Sequence, residues 1–159
     1  MSKNNLVVDR PGLAFSMERV FNAPREMVWK VYTDPSLVPE WWGPRYLTTV
    51  VEKMDVKVGG AWRFIQKDPK GNEFAFNGIF REVTPPERLV YTFEFEPMAG
   101  HISMDSLSFV ELPGGKTKIV ATTSFNSLED LEGMLQSGME SGAVESWDRL
   151  EELLVTVKA

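Results

Sequence analysis

The chain has 159 residues, the size of one domain, and its 43% hydrophobic and 25% charged residues are typical of a globular protein. It contains no cysteine and one histidine, which excludes disulfides, a thiolate nucleophile and a cysteine or multi-histidine metal site. The formal charge is −6, and residues 127–159 carry eight acidic and two basic side chains, so the sequence offers no basic face for nucleic acid.

The first twelve residues are polar and end in Pro11-Gly12, so we expect a flexible N-terminus over residues 1–12 and a single domain over residues 13–157. These residues lack the apolar run of a signal peptide, and nowhere do eighteen apolar residues follow one another. We therefore expect a soluble, cytoplasmic protein that does not insert into membranes. We expect it to need neither a metal nor another cofactor.

Apolar residues alternate over Ala14–Phe21, which predicts a first strand. A short helix should begin around Pro24 and end at Asp34-Pro35. Residues 36–40 then have room for one further helical turn. The Gly-Pro pair after Trp41-Trp42 predicts a loop.

Six more short strands are predicted, over residues 47–56, 61–66, 73–82, 88–94, 103–112 and 117–125. The segments between them are short and contain Gly or Pro, which suits antiparallel neighbours. Parallel strands would need crossovers of about a dozen residues. The sequence therefore predicts a seven-stranded antiparallel sheet.

Residues 127–157 have the spacing of one long amphipathic helix, with Ser127 as its N-cap. Its apolar stripe needs a partner, and only the concave face of the sheet is large enough. The fold class is thus α+β, with the sheet wrapped around a long C-terminal helix and two short helices after the first strand.

Aromatic side chains occupy alternate positions on the strands that would face this helix. We expect Gly78, Gly138 and Gly142 to leave space between these aromatic side chains, and methionines to line the helix side. Such a lining is typical of a deformable apolar pocket for a small molecule. The same spacing also suits side chains that simply fill a core.

Several motifs resemble, in their order along the chain, the START-like (helix-grip, Bet v 1-like) superfamily. The central one is GIFREVTPPERLVYT at residues 78–92, and the others are FNAP at 21–24, WWGP at 41–44, VGGAWRF at 58–64 and Gly138-Met139 with Trp147. The most similar branch is named after the activator of heat-shock-protein-90 ATPase, within the polyketide cyclase-like (SRPBCC) group. The similarity covers residues 13–156.

This resemblance implies a ligand cavity between the sheet and the C-terminal helix. Its relatives include lipid and hormone carriers, polyketide cyclases and aromatases, a resistance protein and chaperone-associated domains, so fold alone does not give the function. We expect the following residues to contact the ligand: Trp41, Trp42, Phe64, Phe76, Phe80, Tyr91, Phe93, Met134, Met139 and Trp147.

Catalytic residues are not assigned from the sequence. His101 and Asp105 would lie about 13 Å apart along a strand, too far for a hydrogen bond. Arg63, Arg81 and Glu94 each alternate with aromatic residues, so they should point outward if the aromatics point inward. If the alternation were inverted, Arg63 would be placed to hold a carboxylate or phenolate.

The expected function is binding of an apolar or aromatic small molecule. The alternatives are a cyclase- or aromatase-type enzyme that uses the same cavity, and an interaction module associated with a chaperone. A carrier should have an apolar lining throughout, whereas an enzyme should bury a titratable side chain in the cavity. A chaperone module should expose an apolar patch elsewhere. A homodimer is left open, since sheet edges need to be covered.

Overall fold

A computed structural model describes residues 5–158. Eight strands form one antiparallel sheet: β1 Val7–Asp9, β2 Ala14–Phe21, β3 Thr48–Met54, β4 Ala61–Lys67, β5 Glu73–Thr84, β6 Arg88–Phe95, β7 Ile102–Leu112 and β8 Lys116–Ser124. Their order across the sheet is β1-β2-β8-β7-β6-β5-β4-β3. Strands β3 to β8 therefore follow one another as an antiparallel meander, as the short connections predicted.

The sheet has one strand more than the seven predicted. The additional strand, β1, pairs with β2 through Val8 opposite Phe15, and it lies within the segment 1–12 that we expected to be flexible. A hairpin turn makes this pairing local: Leu13 N donates to Arg10 O at 3.1 Å, and Gly12 N donates to the Asp9 side chain at 3.0 Å. Residues 1–4 of that segment lie outside the described part of the chain.

The position of β2 determines what crosses the concave face. β2 pairs with β8, whereas β3, the next strand in the chain, forms the opposite edge of the sheet. The connection between β2 and β3 must therefore cross the sheet. This connection contains helix α1, Arg25–Thr33, followed by a 3-10 turn at Val38–Glu40. Helix α1 packs on β7 and β8.

The C-terminal region forms two helices, so the prediction of one continuous helix was wrong. Helix α2 spans Leu128–Gln136, and α3 spans Met139–Lys158. Gly138 separates them with φ +84°, a left-handed conformation that glycine adopts readily and that ends a helix. The predicted cap is present, because Ser127 Oγ accepts a hydrogen bond from Asp130 N at 3.1 Å.

Helix α3 packs on the sheet along its apolar stripe, where Trp147, Leu150 and Leu154 are buried. It is also tied to β2 by an ion pair, in which buried Arg19 donates to Asp148 at 2.8 Å. No helix among residues 5–158 is both long and apolar enough to cross a membrane.

Candidate functional site

A cavity of about 100 Å³ lies on the concave side of the sheet. Most of its lining side chains are apolar or aromatic, and they come from five strands, α1 and the connection that follows it. The lining residues are Tyr32, Val38, Trp41, Trp42, Met54, Trp62, Phe64, Phe80, Leu89, Tyr91, Phe93 and Asp105.

Aromatic rings contact one another around this cavity. Trp62 lies at the centre of the group, with ring centroids 4.8 Å from Phe64, 5.9 Å from Tyr91 and 6.0 Å from Phe93. The Trp62 ring meets Tyr91 edge to face, an arrangement that aromatic pairs favour. Its indole nitrogen donates to Thr92 O at 3.2 Å, so this large ring is fixed in position without a polar group left unpaired.

The cavity lies between the sheet and the α1–β3 connection, whereas the sequence predicted one between the sheet and the C-terminal helix. In the described part of the chain no residue of α3 belongs to the lining. Tyr32 of α1 lies between the cavity and α3: it lines the cavity, and it also accepts a hydrogen bond from Trp147 Nε1 at 3.0 Å. Trp147 instead packs edge-on against Phe21, with ring centroids 5.7 Å apart.

Six of the ten predicted contact residues line the cavity: Trp41, Trp42, Phe64, Phe80, Tyr91 and Phe93. Phe76 lies just behind them, with its ring 5.3 Å from that of Trp42. Met134, Met139 and Trp147 belong to α2 and α3 and lie outside the lining. For Trp147 the difference follows from Tyr32, which lines the cavity and accepts the hydrogen bond from the Trp147 indole.

The two adjacent tryptophans have different surroundings. Trp41 is buried, donates Nε1 to Val31 O at 3.1 Å and packs on Tyr32 at 4.5 Å between ring centroids. Trp42 is half-buried and meets Phe64 edge-on at 5.0 Å. Trp41 thus fixes the loop to α1, while Trp42 lies over rings of the sheet at the more exposed side of the cavity.

Helix α3 acts on the cavity indirectly, by holding this loop. The Arg149 guanidinium donates to the carbonyl oxygens of Gly43 at 2.8 Å and Glu40 at 3.0 Å. Ser146 Oγ accepts from Gly43 N at 2.8 Å, and Arg45 pairs with Glu152. The position of the Trp41-Trp42 segment therefore depends on polar contacts from α3.

The glycines that were expected to leave cavity volume do not do so. A Cβ at Gly78 would lie 1.8 Å from Thr92 O and 2.5 Å from Trp62 Nε1, so the backbone and the indole fill that space. A Cβ at Gly138 or Gly142 would meet nothing within 4 Å, which means that these two glycines face open space. Gly78 is required for close approach of the strand to Trp62.

Asp105 is the charged residue of the cavity lining. It lies in the middle of the sheet, opposite Tyr91 of β6 and Thr123 of β8. Thr123 Oγ1 donates to Asp105 Oδ1 at 2.5 Å. A carboxylate on an apolar concave face loses its hydration, so its ionised form is disfavoured.

The titratable groups in the cavity are shifted in the direction that burial dictates. Burial raises the pKa of Asp105 to about 6, and the Thr123 hydrogen bond opposes this only in part. Burial also raises the pKa of Tyr32 and Tyr91, and the charge of Asp105 adds to both effects. Asp105 is consequently placed to change its charge near neutral pH while the two phenols stay protonated.

The other polar candidates lie outside the cavity. His101 pairs with Asp130 through Nδ1 at 2.8 Å and is exposed, as a residue at the edge of a loop should be. Arg63 donates to Glu96 at 2.7 Å on the outer face of β4, so the alternation is not inverted. Arg81 is exposed, and Glu94 accepts from Gly100 N in a surface turn.

Asp105 is the residue that the sequence interpretation missed, because it was considered only as a partner for His101. A signal was present in β7: Asp105 has the same parity as Leu107 and Phe109, which are buried. A carboxylate in phase with apolar residues indicates a charge on the inner face of a strand. The cavity residues Tyr32, Val38, Met54, Trp62 and Leu89 were also missed.

A family model described as Activator of Hsp90 ATPase homolog 1-like protein matches residues 22–155. Among solved structures, a protein from Mycobacterium smegmatis is similar, with 24% identity, coverage of 94% of this chain and 95% of that one, and a TM-score of 0.85. A protein from Rhodobacter sphaeroides has 21% identity, coverages of 96% and 99%, and a TM-score of 0.88.

A protein from Nitrosomonas europaea has 26% identity, coverages of 95% and 99%, and a TM-score of 0.83. The search of curated proteins gave no match. The structural matches extend over nearly the whole of each chain, so they describe the complete helix-grip architecture rather than a shared fragment.

Proposed function

This chain belongs to the Activator of Hsp90 ATPase homolog 1-like family, and from that premise we propose that it binds an apolar or aromatic small molecule in the cavity beneath Trp42. The observation that carries this proposal is the lining itself. Aromatic rings from α1, the connecting loop and three strands converge on one space. Fold membership alone would not select this function.

The size of the cavity indicates a small ligand. Drug-sized molecules bind in pockets of about 300–1,000 Å³, whereas an engineered apolar cavity of about 150 Å³ holds benzene. A cavity of about 100 Å³ therefore suits a body of one ring. Trp42 and Met54 are half-buried, so these two side chains are best placed to move for a larger guest.

The proposal is tested first by native mass spectrometry of the purified protein, which would detect a retained ligand. Toluene is then titrated by calorimetry and by thermal unfolding. A ligand at about one hundred times its Kd adds about 2.7 kcal/mol to the free energy of unfolding, or about 5–10 °C in Tm for a chain of this length. Quenching of tryptophan fluorescence should accompany binding, since three tryptophans line the cavity.

A matched pair of variants on β3 locates the ligand. Met54→Phe enlarges a side chain that lines the cavity, whereas Val50→Phe enlarges one that is 49% exposed on the same strand. We expect Met54→Phe to weaken toluene binding and Val50→Phe to leave it unchanged. Equal binding by both variants would place the ligand elsewhere, and no binding by the parent protein would reject the proposal.

A second candidate function is a cyclase- or aromatase-type enzyme, and Asp105 is the observation that favours it. The lining is not apolar throughout, because this carboxyl lies within it. In such an enzyme Asp105 would take a proton from the bound substrate and then donate it to the hydroxyl group that leaves as water. Incubation of a retained ligand with the protein separates the two functions: an unchanged mass supports a carrier, and loss of water supports the enzyme.

The third candidate is an interaction module for a chaperone, which would use exposed apolar side chains such as Tyr46, Val50 and Val58. No residue of the cavity is needed for that role. Substitution of Tyr46 and Val58 by serine would abolish binding to a chaperone and leave toluene binding intact. A homodimer remains a further proposal, to be tested by light scattering.

A further inference from the structure

Asp105 carries a negative charge into the cavity without a compensating positive one. No lysine, arginine or histidine belongs to the lining formed by the described residues. Burial and the Thr123 hydrogen bond are the causes that set the pKa of this carboxyl, and no nearby cation contributes. A ligand that brings a positive charge into this apolar site would strongly stabilise the ionised carboxylate.

One oxygen of this carboxylate lacks a hydrogen-bond partner among the described residues. Oδ1 accepts from Thr123, whereas Oδ2 has no hydrogen-bond partner among residues 5–158. Because Asp105 lines the cavity, this oxygen is the acceptor of the carboxyl group that is left for a ligand. It is a free acceptor at the polar end of an otherwise apolar site.

Aromatic side chains share the cavity lining with Asp105. Tyr91 lies directly opposite Asp105 in the sheet, and the Trp62 ring centroid is 5.9 Å from that of Tyr91. The faces of Trp and Tyr rings attract cations, most strongly where water is excluded. A carboxylate and aromatic faces therefore act on a ligand cation together.

We infer that the cavity prefers a small organic amine in its ammonium form, with the nitrogen against Asp105 and the apolar body among the rings. This inference rests on the proposed function and names the class of ligand that the same site would select. A neutral hydroxyl would satisfy Oδ2 but would leave the carboxylate charge uncompensated in an apolar site. An ammonium group both donates a hydrogen bond to Oδ2 and compensates the negative charge.

Binding of the amine should depend on pH through Asp105. The titratable groups that face this carboxyl are Tyr32 from α1 and Tyr91 from β6, and Thr123 from β8 does not titrate. Both phenols stay protonated because their pKa values are raised, while the pKa of Asp105 is about 6. Affinity for an amine should therefore fall as the pH drops from 7.5 to 5.

The test compares benzylamine, benzyl alcohol and toluene, which differ only in the group on the ring. Each is titrated into the parent protein and into Asp105→Asn at pH 7.5, with calorimetry as the readout. We expect the parent to bind benzylamine at least about tenfold more tightly than benzyl alcohol. In Asp105→Asn, this preference should shrink to less than about threefold.

The outcomes separate this inference from the proposed function. If toluene binds to the parent but benzylamine binds no better than benzyl alcohol, the cavity is a binding site and the preference for a cation is refuted. If none of the three compounds binds, the proposed function fails as well. A second test needs no variant and measures the affinity of the parent protein for benzylamine at pH 5 and at pH 7.5. Equal affinity at the two pH values would also refute the inference.

Discussion

Asp105→Asn should make the unliganded protein more stable at neutral and alkaline pH. Burial raises the pKa of this carboxyl from 3.8 to about 6 in the folded state. The difference corresponds to about 3 kcal/mol by which ionisation of Asp105 destabilises the folded protein. Asparagine has nearly the same shape, and its amide oxygen can accept the Thr123 hydrogen bond while carrying no charge.

The sign of the pH dependence follows from the order in which the two states ionise. Below about pH 3 the carboxyl is protonated in both states, so ionisation of Asp105 makes no difference between parent and variant. Between about pH 3 and 6 the unfolded chain ionises first, and the parent loses stability relative to the variant. Above about pH 6.5 the full difference of about 3 kcal/mol should be present.

Urea unfolding of both proteins at pH 4, 5, 6, 7 and 8 measures this difference directly. Subtraction of the two curves cancels other carboxyls such as Glu96, whose pKa Arg63 lowers to about 2. Thr123→Val provides a second perturbation: loss of its hydrogen bond should raise the pKa of Asp105 and move the transition to higher pH. If the free energies of unfolding of the parent and Asp105→Asn changed with pH in the same way, Asp105 would be solvated in the folded state and the reasoning would be refuted.

Trp147→Ala should lower the free energy of unfolding by about 3–5 kcal/mol, because this side chain is 5% exposed; a change in Tm of less than about 2 °C would contradict the packing of α3. Arg149→Met should release the loop at residues 41–44 by removing charged hydrogen bonds worth about 1.5–3 kcal/mol each, and hydrogen exchange of those amides should accelerate. Gly78→Ala should destabilise the protein severely, because its Cβ would lie 1.8 Å from a backbone oxygen. The control Gly142→Ala, in open space within α3, should stabilise it by up to about 1 kcal/mol; thermal unfolding that ranks these two variants in the opposite order would overturn the geometry of β5.

Local patterns in the sequence predicted seven of the eight strands and the faces of those strands, but not β1 or the break between α2 and α3. Short turns with Gly or Pro predicted the meander β3 to β8, and the alternation in β4 placed Arg63 on the outer face, where it meets Glu96. These features depend on neighbours along one strand, so the periodicity of side chains carries them. Gly138 was interpreted as a small residue within one continuous helix, and only the backbone conformation shows that it ends α2.

The tertiary structure decided which elements meet. Pairing of β2 with β8 sends the α1–β3 connection across the concave face, and this places Tyr32 between the cavity and α3. The strand pattern identified an inner face, but it could not tell which inner-facing residues would be covered by a helix and which would border a space. Asp105 has the parity of a core residue and becomes a charged cavity residue because α1 and the Trp41-Trp42 loop border a space over that part of the sheet. That space results from contacts between residues far apart in the chain.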